Sequence, residues 1–331
     1  MAEAKNTEER PIDTQTLRPL RTLVVGGAGF VGSHLVRAMI EAGGRKVVVL
    51  GRRPKPRFHL PDGVRYVAGN AGDPALLSAL LESCDEVVDL AYASVPKTSF
   101  DDPVNDVLDN LPSSVTLLKQ CARFPIKRML LVSSGGTVYG NAEVLPLDET
   151  HPTNPVSPYG ITKLALEKYA LLFHRLEGLP AVIVRPGNPY GPNQLGTLNQ
   201  GFVGAAMHAV LNRGKIVVFG ARGTVRDYLY IDDLSRGLLA ALTHGVVGQI
   251  YNIGSGIGHD NLSVLQVLES IVHPEGFSVE WESYPERSFD VAANVLSSAR
   301  LTYISGWRPQ VDLRQGLALS WAWARRSGDG P

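Results

Sequence analysis

Tyr159 and Lys163 stand at Y-x-x-x-K spacing behind Ser157-Pro158. On a helix this spacing stacks a phenol and an ammonium one turn apart on the same face. A free tyrosine ionises near pH ~10, too high for a base at neutrality. A neighbouring ammonium favours the phenolate and brings that value down. The pair therefore suits proton exchange with a hydroxyl. Far upstream, Thr22-Leu-Val-Val-Gly26-Gly-Ala-Gly29-Phe30-Val31-Gly32 spaces three glycines as GxxGxxG directly after an apolar run. The first glycine permits a tight turn, the second lets backbone amides approach a pyrophosphate, and the third lets helix and strand pack closely.

Together the two features describe hydride chemistry on an alcohol or ketone with a dinucleotide, and Lys163 can also hold the nicotinamide ribose. After the turn, Ser33 to Ile40 reads as a helix with Leu35, Val36, Met39 and Ile40 on one face, stopped by Gly43-Gly44. Its N-terminus is a natural phosphate site. The next strand, Lys46–Leu50, runs into Gly51-Arg52-Arg53. NAD sites usually place a carboxylate here for the ribose 2′-hydroxyl. Two guanidiniums suit a 2′-phosphate instead, although Pro54, Lys55, Pro56 and Arg57 also allow a solvated basic loop. The cofactor expected is NAD, with NADP as the alternative.

These groups need a scaffold, and the 331 residues are enough for two lobes with sizeable cores. Charge is balanced at 32 basic and 32 acidic residues, which offers no argument for nucleic acid or an acidic membrane surface. Cys84 and Cys121 show no metal spacing and fit a reducing cytosol, so no metal is expected. No uninterrupted apolar run is long enough to span a membrane. Residues 1–20 lack a signal-peptide core and read as a flexible tail, and the expected location is cytoplasmic. Apolar runs at Thr22–Val25, Lys46–Leu50, Val64–Ala68, Glu86–Ala91, Arg128–Ser133 and Ala181–Val184 alternate with helical stretches. The alternation predicts an α/β fold: a Rossmann, doubly wound parallel sheet over residues 21–187, with a return near 228–254 through Ile250–Ile253. Residues 188–325 then build mainly a smaller C-terminal α+β substrate lobe. Ser157 as cap and Pro158 in the first turn start the helix that carries Tyr159 and Lys163.

The ordered motifs resemble the extended short-chain dehydrogenases/reductases, in the NAD-dependent epimerase/dehydratase group that includes UDP-glucose 4-epimerase. They are Gly26–Gly32, Ser133-Ser-Gly-Gly-Thr-Val-Tyr-Gly140, Ser157-Pro-Tyr-Gly-Ile-Thr-Lys163, Arg185-Pro-Gly-Asn-Pro-Tyr-Gly-Pro192, Val225-Arg-Asp-Tyr228 and Tyr251-Asn-Ile-Gly-Ser-Gly256. The resemblance spans about residues 22 to 320. It implies that Gly26, Gly29, Phe30, Val31, Gly32, Arg52, Arg53, Asn70, Ala71, Ala91, Tyr159, Lys163 and Pro186 contact the cofactor. Asn70 takes the place of an aspartate near adenine. It further implies that Asn188, Asn199, Arg226, Arg287 and Asp290 bind the nucleotide diphosphate and ribose.

Three departures from the family pattern matter. The serine or threonine that family members set beside the tyrosine aligns with Gly135, which leaves Ser134 or Thr137 to supply the hydroxyl after a small backbone shift, or the tyrosine to act alone with water. Resembling 4,6-dehydratases carry Asp-Glu where this chain has Gly136-Thr137, and a dehydratase needs an acid for the departing hydroxyl. Asn294 stands where glucose-type epimerases have a tyrosine, and a smaller side chain leaves room for a 2-acetamido group.

The resemblance thus implies a nucleotide-sugar 4-epimerase for UDP-hexose or UDP-N-acetylhexosamine, in polysaccharide biosynthesis. The alternatives are an NADPH-dependent 4-ketoreductase of a nucleotide-linked 4-keto sugar, favoured by Arg52 and Arg53, and a non-catalytic dinucleotide-binding scaffold, favoured by Gly135. The partner expected besides the sugar nucleotide is a second copy. Stripes at Val107, Leu111, Val115 and Leu118, and at Leu164, Leu171 and Leu172, suit a homodimer or packing on the sheet.

Overall fold

The computed structural model describes residues 18–194, 201–287 and 290–328. In chain order the first strands are β1 (Leu20–Val25), β2 (Arg45–Gly51), β3 (Arg65–Ala68), β4 (Glu86–Asp89), β5 (Arg128–Val132) and β6 (Ala181–Pro186). They are followed by β7 (Asn188–Tyr190), β8 (Lys215–Phe219), β9 (Val225–Tyr230) and β10 (Ile250–Ile253). Among the described residues, a seven-stranded parallel sheet has the order β10-β6-β5-β4-β1-β2-β3. The fold class read from the sequence is therefore the observed one.

Both faces of the sheet are covered, which explains why its strands are apolar runs rather than alternating ones. Val24, Val47, Val49, Val88, Leu130, Val182 and Val184 face α1 (Phe30–Ala42) and later helices. Their neighbours Leu23, Val25, Leu50, Val87, Met129, Leu131 and Ile183 face α2 (Pro74–Leu81), α4 (Pro103–Cys121) and α5 (Pro158–Glu177). A short helix, α3 (Pro96–Asp101), precedes α4. Each such side chain buried contributes roughly 1.5–3 kcal/mol before chain entropy is counted. Cys84 and Cys121 are buried free thiols in the second of these cores. The first helix starts at Phe30, earlier than the expected Ser33, and ends at Gly43 with φ 70°.

After β6 the chain builds β7, α6 (Phe202–Leu211), β8 and β9. Helix α7 (Ile231–His244) then packs against α1 and the main sheet, and β10 pairs in parallel with β6. The remaining elements are β11 (Gly258–His259), α8 (Asn261–Val272), β12 (Glu280–Tyr284), β13 (Ala293–Asn294), α9 (Ala299–Ser305) and α10 (Leu313–Gly328). They complete two smaller sheets: β9 with β7, β11 and β13, and β12 with β8. Side chains also tie the later segments to α1. Buried His34 on α1 bonds Asp232 at 2.9 Å and the Pro192 carbonyl at 3.0 Å. Of residues 1–20, expected as a flexible tail, 1–17 lie outside the described residues, as does Asn199, whereas Arg18 bonds Asp85 and Leu20 opens β1, so the last three belong to the fold. No described helix is long and apolar enough to cross a membrane.

Candidate active site

The sheet order reverses between β1 and β4, and the carboxyl ends of these two strands frame the crevice where such folds bind ligands. The glycine turn sits there under tight constraint. Gly26 has φ +80°, and a Cβ on it would lie 2.9 Å from the Ala91 amide nitrogen after β4. A Cβ on Gly32 would lie 2.4 Å from the Gly26 oxygen, so only glycine lets α1 pack on the turn. Gly29 caps α1 without a capping side chain, and no acid occupies the first turn. The amides of Phe30, Val31 and Gly32 are therefore left for an anion, and the residues present fit a pyrophosphate.

At the outer end of the crevice Arg52 and Arg53 are exposed, and the Arg53 carbonyl accepts from the Tyr66 hydroxyl at 2.7 Å. Among the described residues no carboxylate pairs with either guanidinium. Asn70 is exposed, and its Oδ1 turns back to accept from the Gly72 amide at 2.9 Å. Its Nδ2 is then the end free to donate to a base. Ala71 follows in the same turn.

Helix α5 begins as its sequence predicts: the Ser157 hydroxyl accepts from the Gly160 amide at 3.1 Å and Pro158 occupies the first turn. The backbone amide of Tyr159 donates to buried Ser99 on α3 at 3.1 Å, which fixes where the phenol starts. Lys163 is 5% exposed, and its Nζ donates to the Val132 carbonyl at the end of β5 at 2.9 Å. Burial pulls its value down to about 8, while Asp89, Glu167 and Asp106 pull the other way. Burial raises the Tyr159 value above its usual 10.0, and Asp106 raises it further. A hydrogen bond with Ser134 acts in the opposite direction. A nearby positive charge would favour the phenolate here.

Ser134 is thus the hydroxyl beside the phenol. The next position has no room for one: a Cβ on Gly135 would lie 2.5 Å from Leu296 Cδ1 and 2.9 Å from the Arg185 oxygen. The Gly135 amide donates to the Pro186 carbonyl at 2.9 Å. Asn294 on β13 is 1% exposed and donates to the Gly135 carbonyl at 3.0 Å. Asn294 Oδ1 and Thr137 Oγ1 are buried with no hydrogen-bond partner. Such atoms are costly to leave unpaired.

On the substrate side a Cβ on Gly136 would meet Asn188 Oδ1 at 3.3 Å, so Asn188 faces the same turn. Arg226 pairs in register with Asn294 and donates through Nη1 to the Val225 and Val291 carbonyls at 2.9 and 2.7 Å. Burial pulls its value down, Tyr228 and Asp290 oppose, and Arg287 pulls it further down. Arg287 and Asp290 hold each other through two bonds of 2.8 and 2.9 Å, with the guanidinium over Phe219. Asp227, which follows Arg226 in the chain, is a structural hub: it accepts from Ser255, Gly256 and Leu296.

Sequence reasoning missed several side chains around the pair. Tyr92, Asp89 and Asp106 surround Lys163 from the loop after β4, from β4 itself and from α4. An acid ending a buried strand was the available signal for Asp89. Under the site, Glu167 and Arg185 form a buried bidentate pair at 2.9 and 2.7 Å. Ser133 joins Glu167, the Arg185 guanidinium lies over Tyr139, and the Tyr139 hydroxyl donates to Asn252 at 2.7 Å. Among the described residues no group of acids, histidines and cysteines could hold a metal ion.

The chain is similar to known proteins over most of its length. Residues 22–254 match the model of the NAD dependent epimerase/dehydratase family. The chain is 33% identical over 306 residues to a UDP-glucose 4-epimerase of Mycolicibacterium smegmatis, covering 90% of this chain and 96% of that one. A UDP-glucose 4-epimerase of Thermotoga maritima, solved with UDP-glucose, superposes with TM-score 0.87 at 30% identity, covering 94% of this chain and all of that one. A dTDP-glucose 4,6-dehydratase of Streptomyces venezuelae, solved with NAD, superposes with TM-score 0.85 at 28% identity, covering 93% and 97%.

Proposed function

The chain belongs to the NAD-dependent epimerase/dehydratase family, as an enzyme of the extended short-chain dehydrogenase/reductase type, and from that premise we propose that it is a nucleotide-sugar 4-epimerase for a UDP-hexose or UDP-N-acetylhexosamine. The single observation that carries the reading is Tyr159 beside Ser134, with Lys163 one turn on and no carboxylate at Gly136-Thr137. That set can exchange a proton with a carbinol and lacks the acid a dehydratase needs.

NAD, when bound, supplies a reversible two-electron acceptor at its nicotinamide. Gly26, Gly29 and the start of α1 would hold its pyrophosphate, Asn70 and Ala71 its adenine end, and Lys163 its ribose, with Ala91 and Pro186 beside it. Tyr159 takes the proton from the C4 hydroxyl, while Ser134 orients that oxygen. The Lys163 ammonium favours the phenolate. Asn188, Arg226, Arg287 and Asp290, with Asn199 outside the described residues, anchor the nucleotide while the sugar turns. Tyr159 then returns the proton to the same oxygen with the C4 configuration inverted, so no net redox occurs. The unpartnered Asn294 Oδ1 is an acceptor that suits the amide N–H of a 2-acetamido group.

Exposed Arg52 and Arg53, without a carboxylate partner among the described residues, favour a second reading, an NADPH-dependent 4-ketoreductase. Ser134 next to Tyr159 weighs against a non-catalytic scaffold. We also propose a homodimer, with its surface redrawn from the sequence reading. Leu118 is fully buried, Leu111, Val115 and Leu171 pack on the sheet core, and Leu164 packs near Tyr139. The exposed large apolar residues of α4 and α5 are Val104, Val107, Leu108, Ile161, Tyr169, Leu172 and Leu176.

The test is to denature freshly purified protein and identify the dinucleotide released by mass. Near-stoichiometric NAD(H) supports an epimerase that keeps its cofactor. An empty site that takes up NADPH moves the assignment to the ketoreductase.

A further inference from the structure

Lys163 is a buried ammonium that makes no ion pair with a carboxylate among the described residues. What lies against it is Tyr92: Nζ is 4.1 Å from the centroid of the Tyr92 ring, nearer than the 5.8 Å to the Tyr159 ring. The Tyr92 and Tyr159 rings meet edge to face, with centroids 4.8 Å apart and planes at 66°. Tyr92 is held at its far end as well. Its hydroxyl lies 3.3 Å from the carboxylate of Asp106, which is 2% exposed. Asp106 also accepts from Thr162 at 2.8 Å and from Ser94. Asn110 on α4 accepts from the Ala93 amide at 2.6 Å and donates to the Asp106 carbonyl at 2.7 Å, which ties the Tyr92 loop to the same helix.

A ring face attracts a cation through its quadrupole, most strongly where water is excluded. We propose that Tyr92 is a positioning residue for the acid/base pair. Anchored to Asp106 by its hydroxyl, its ring holds the Lys163 ammonium at one face and braces the Tyr159 ring, so the charge stays close enough to stabilise the phenolate. The inference rests on Tyr159 being the acid/base. The charged and titratable groups facing the pair are Asp89 from β4, Asp106 from α4 and Glu167 from α5, with the Ser134 hydroxyl against Tyr159. Burial and Asp106 keep the Tyr92 phenol protonated, so it adds a ring face rather than a charge.

The experiment compares wild type, Tyr92→Phe, Tyr92→Leu and Tyr92→Met as the full chain loaded with NAD; two non-aromatic variants guard against a folding defect in one. Tyrosinate formation at Tyr159 is read by ultraviolet difference titration against the Tyr159→Phe variant, which needs no turnover. Epimerisation of UDP-glucose is followed across pH in parallel. Losing the ring is expected to raise the Tyr159 ionisation by about one pH unit, a tenfold change in the phenolate fraction at neutrality. The value of kcat falls with it, and KM for the sugar nucleotide changes little. Tyr92→Phe keeps the ring and recovers most of both. The proposal is overturned if the non-aromatic variants titrate like wild type, if Tyr92→Phe is as impaired as they are, or if wild type shows no Tyr159 tyrosinate below about pH 10. Absence of epimerisation with an intact titration difference counts against the functional assignment alone.

Discussion

The side-chain amide of Asn294 clamps the carbonyl of Gly135 at 3.0 Å, while the Gly135 amide is bound to Pro186. That backbone is fixed where a Cβ on Gly135 would meet Leu296 and the Arg185 and Pro186 oxygens, so the position where resembling enzymes carry their hydroxyl is closed. Its missing side chain is a packing requirement of this chain, and the adjacent Ser134 hydroxyl lies against Tyr159.

Gly135→Ser is therefore expected to destabilise the protein by about 1–3 kcal/mol, because the atoms a Cβ would meet include two backbone oxygens that cannot swing aside. Ser134→Ala should fold normally and lose roughly a hundredfold in kcat, as loss of one donor to a reacting oxygen does. Denaturant midpoints and epimerase kinetics check both. A Gly135→Ser enzyme of full stability and higher activity would reverse the assignment.

Tyr159→Phe should retain its fold and its dinucleotide while kcat falls by at least about a hundredfold, the usual worth of a positioned acid/base. Circular dichroism, cofactor mass and the rate of C4 epimerisation measure the three outcomes. Residual epimerisation near wild-type rate would remove Tyr159 from its role.

Lys163 gives a pH dependence with a definite sign. Its value in the folded, cofactor-free protein is about 8, below the ordinary 10.5. Between those pH values the unfolded chain binds the extra proton, so stability rises with pH through this window. Below about 8 both states carry the proton and the cost of burying the ammonium is fully present. Lys163→Met lacks that cost, so its stability relative to wild type should be greatest near neutrality and shrink toward pH about 10. Unfolding midpoints across pH decide it, and parallel profiles for the two proteins would contradict the buried charge.

Gly32→Ala places a methyl 2.4 Å from the Gly26 oxygen and 2.5 Å from Gly27 Cα. Helix α1 must then lift off the turn. The expected cost is about 3 kcal/mol or more, with loss of retained dinucleotide. Thermal unfolding and the mass of released cofactor report each effect.

Leu108→Glu tests the proposed dimer. Leu108 is 61% exposed on α4, so a charge there costs the monomer little. Sedimentation should show monomers where the wild type shows dimers. Unchanged assembly would move the interface elsewhere.

Much of this protein is legible in one dimension because its physics is local. The GxxGxxG turn, the Ser157-Pro158 helix start and the apolar runs each depend on neighbours within a few residues. A parallel sheet covered on both faces writes itself as uninterrupted apolar strands, so the sequence by itself determined the architecture and the Tyr159–Lys163 pair. The surroundings of that pair were decided only by the tertiary structure. Tyr92 and Asp106 reach Lys163 from other elements, and no spacing in the chain encodes their approach. Gly135 reads as a lost hydroxyl in the sequence, but the fold brings Leu296, Asn294 and the end of β6 against it and leaves no space. Apolar residues on α4 and α5 look alike in sequence, and only the packing of those helices separates Leu118 in the core from Leu108 at the surface. Contact between distant segments sets burial, and burial sets both how far the basicity of Lys163 is lowered and which hydroxyl meets Tyr159.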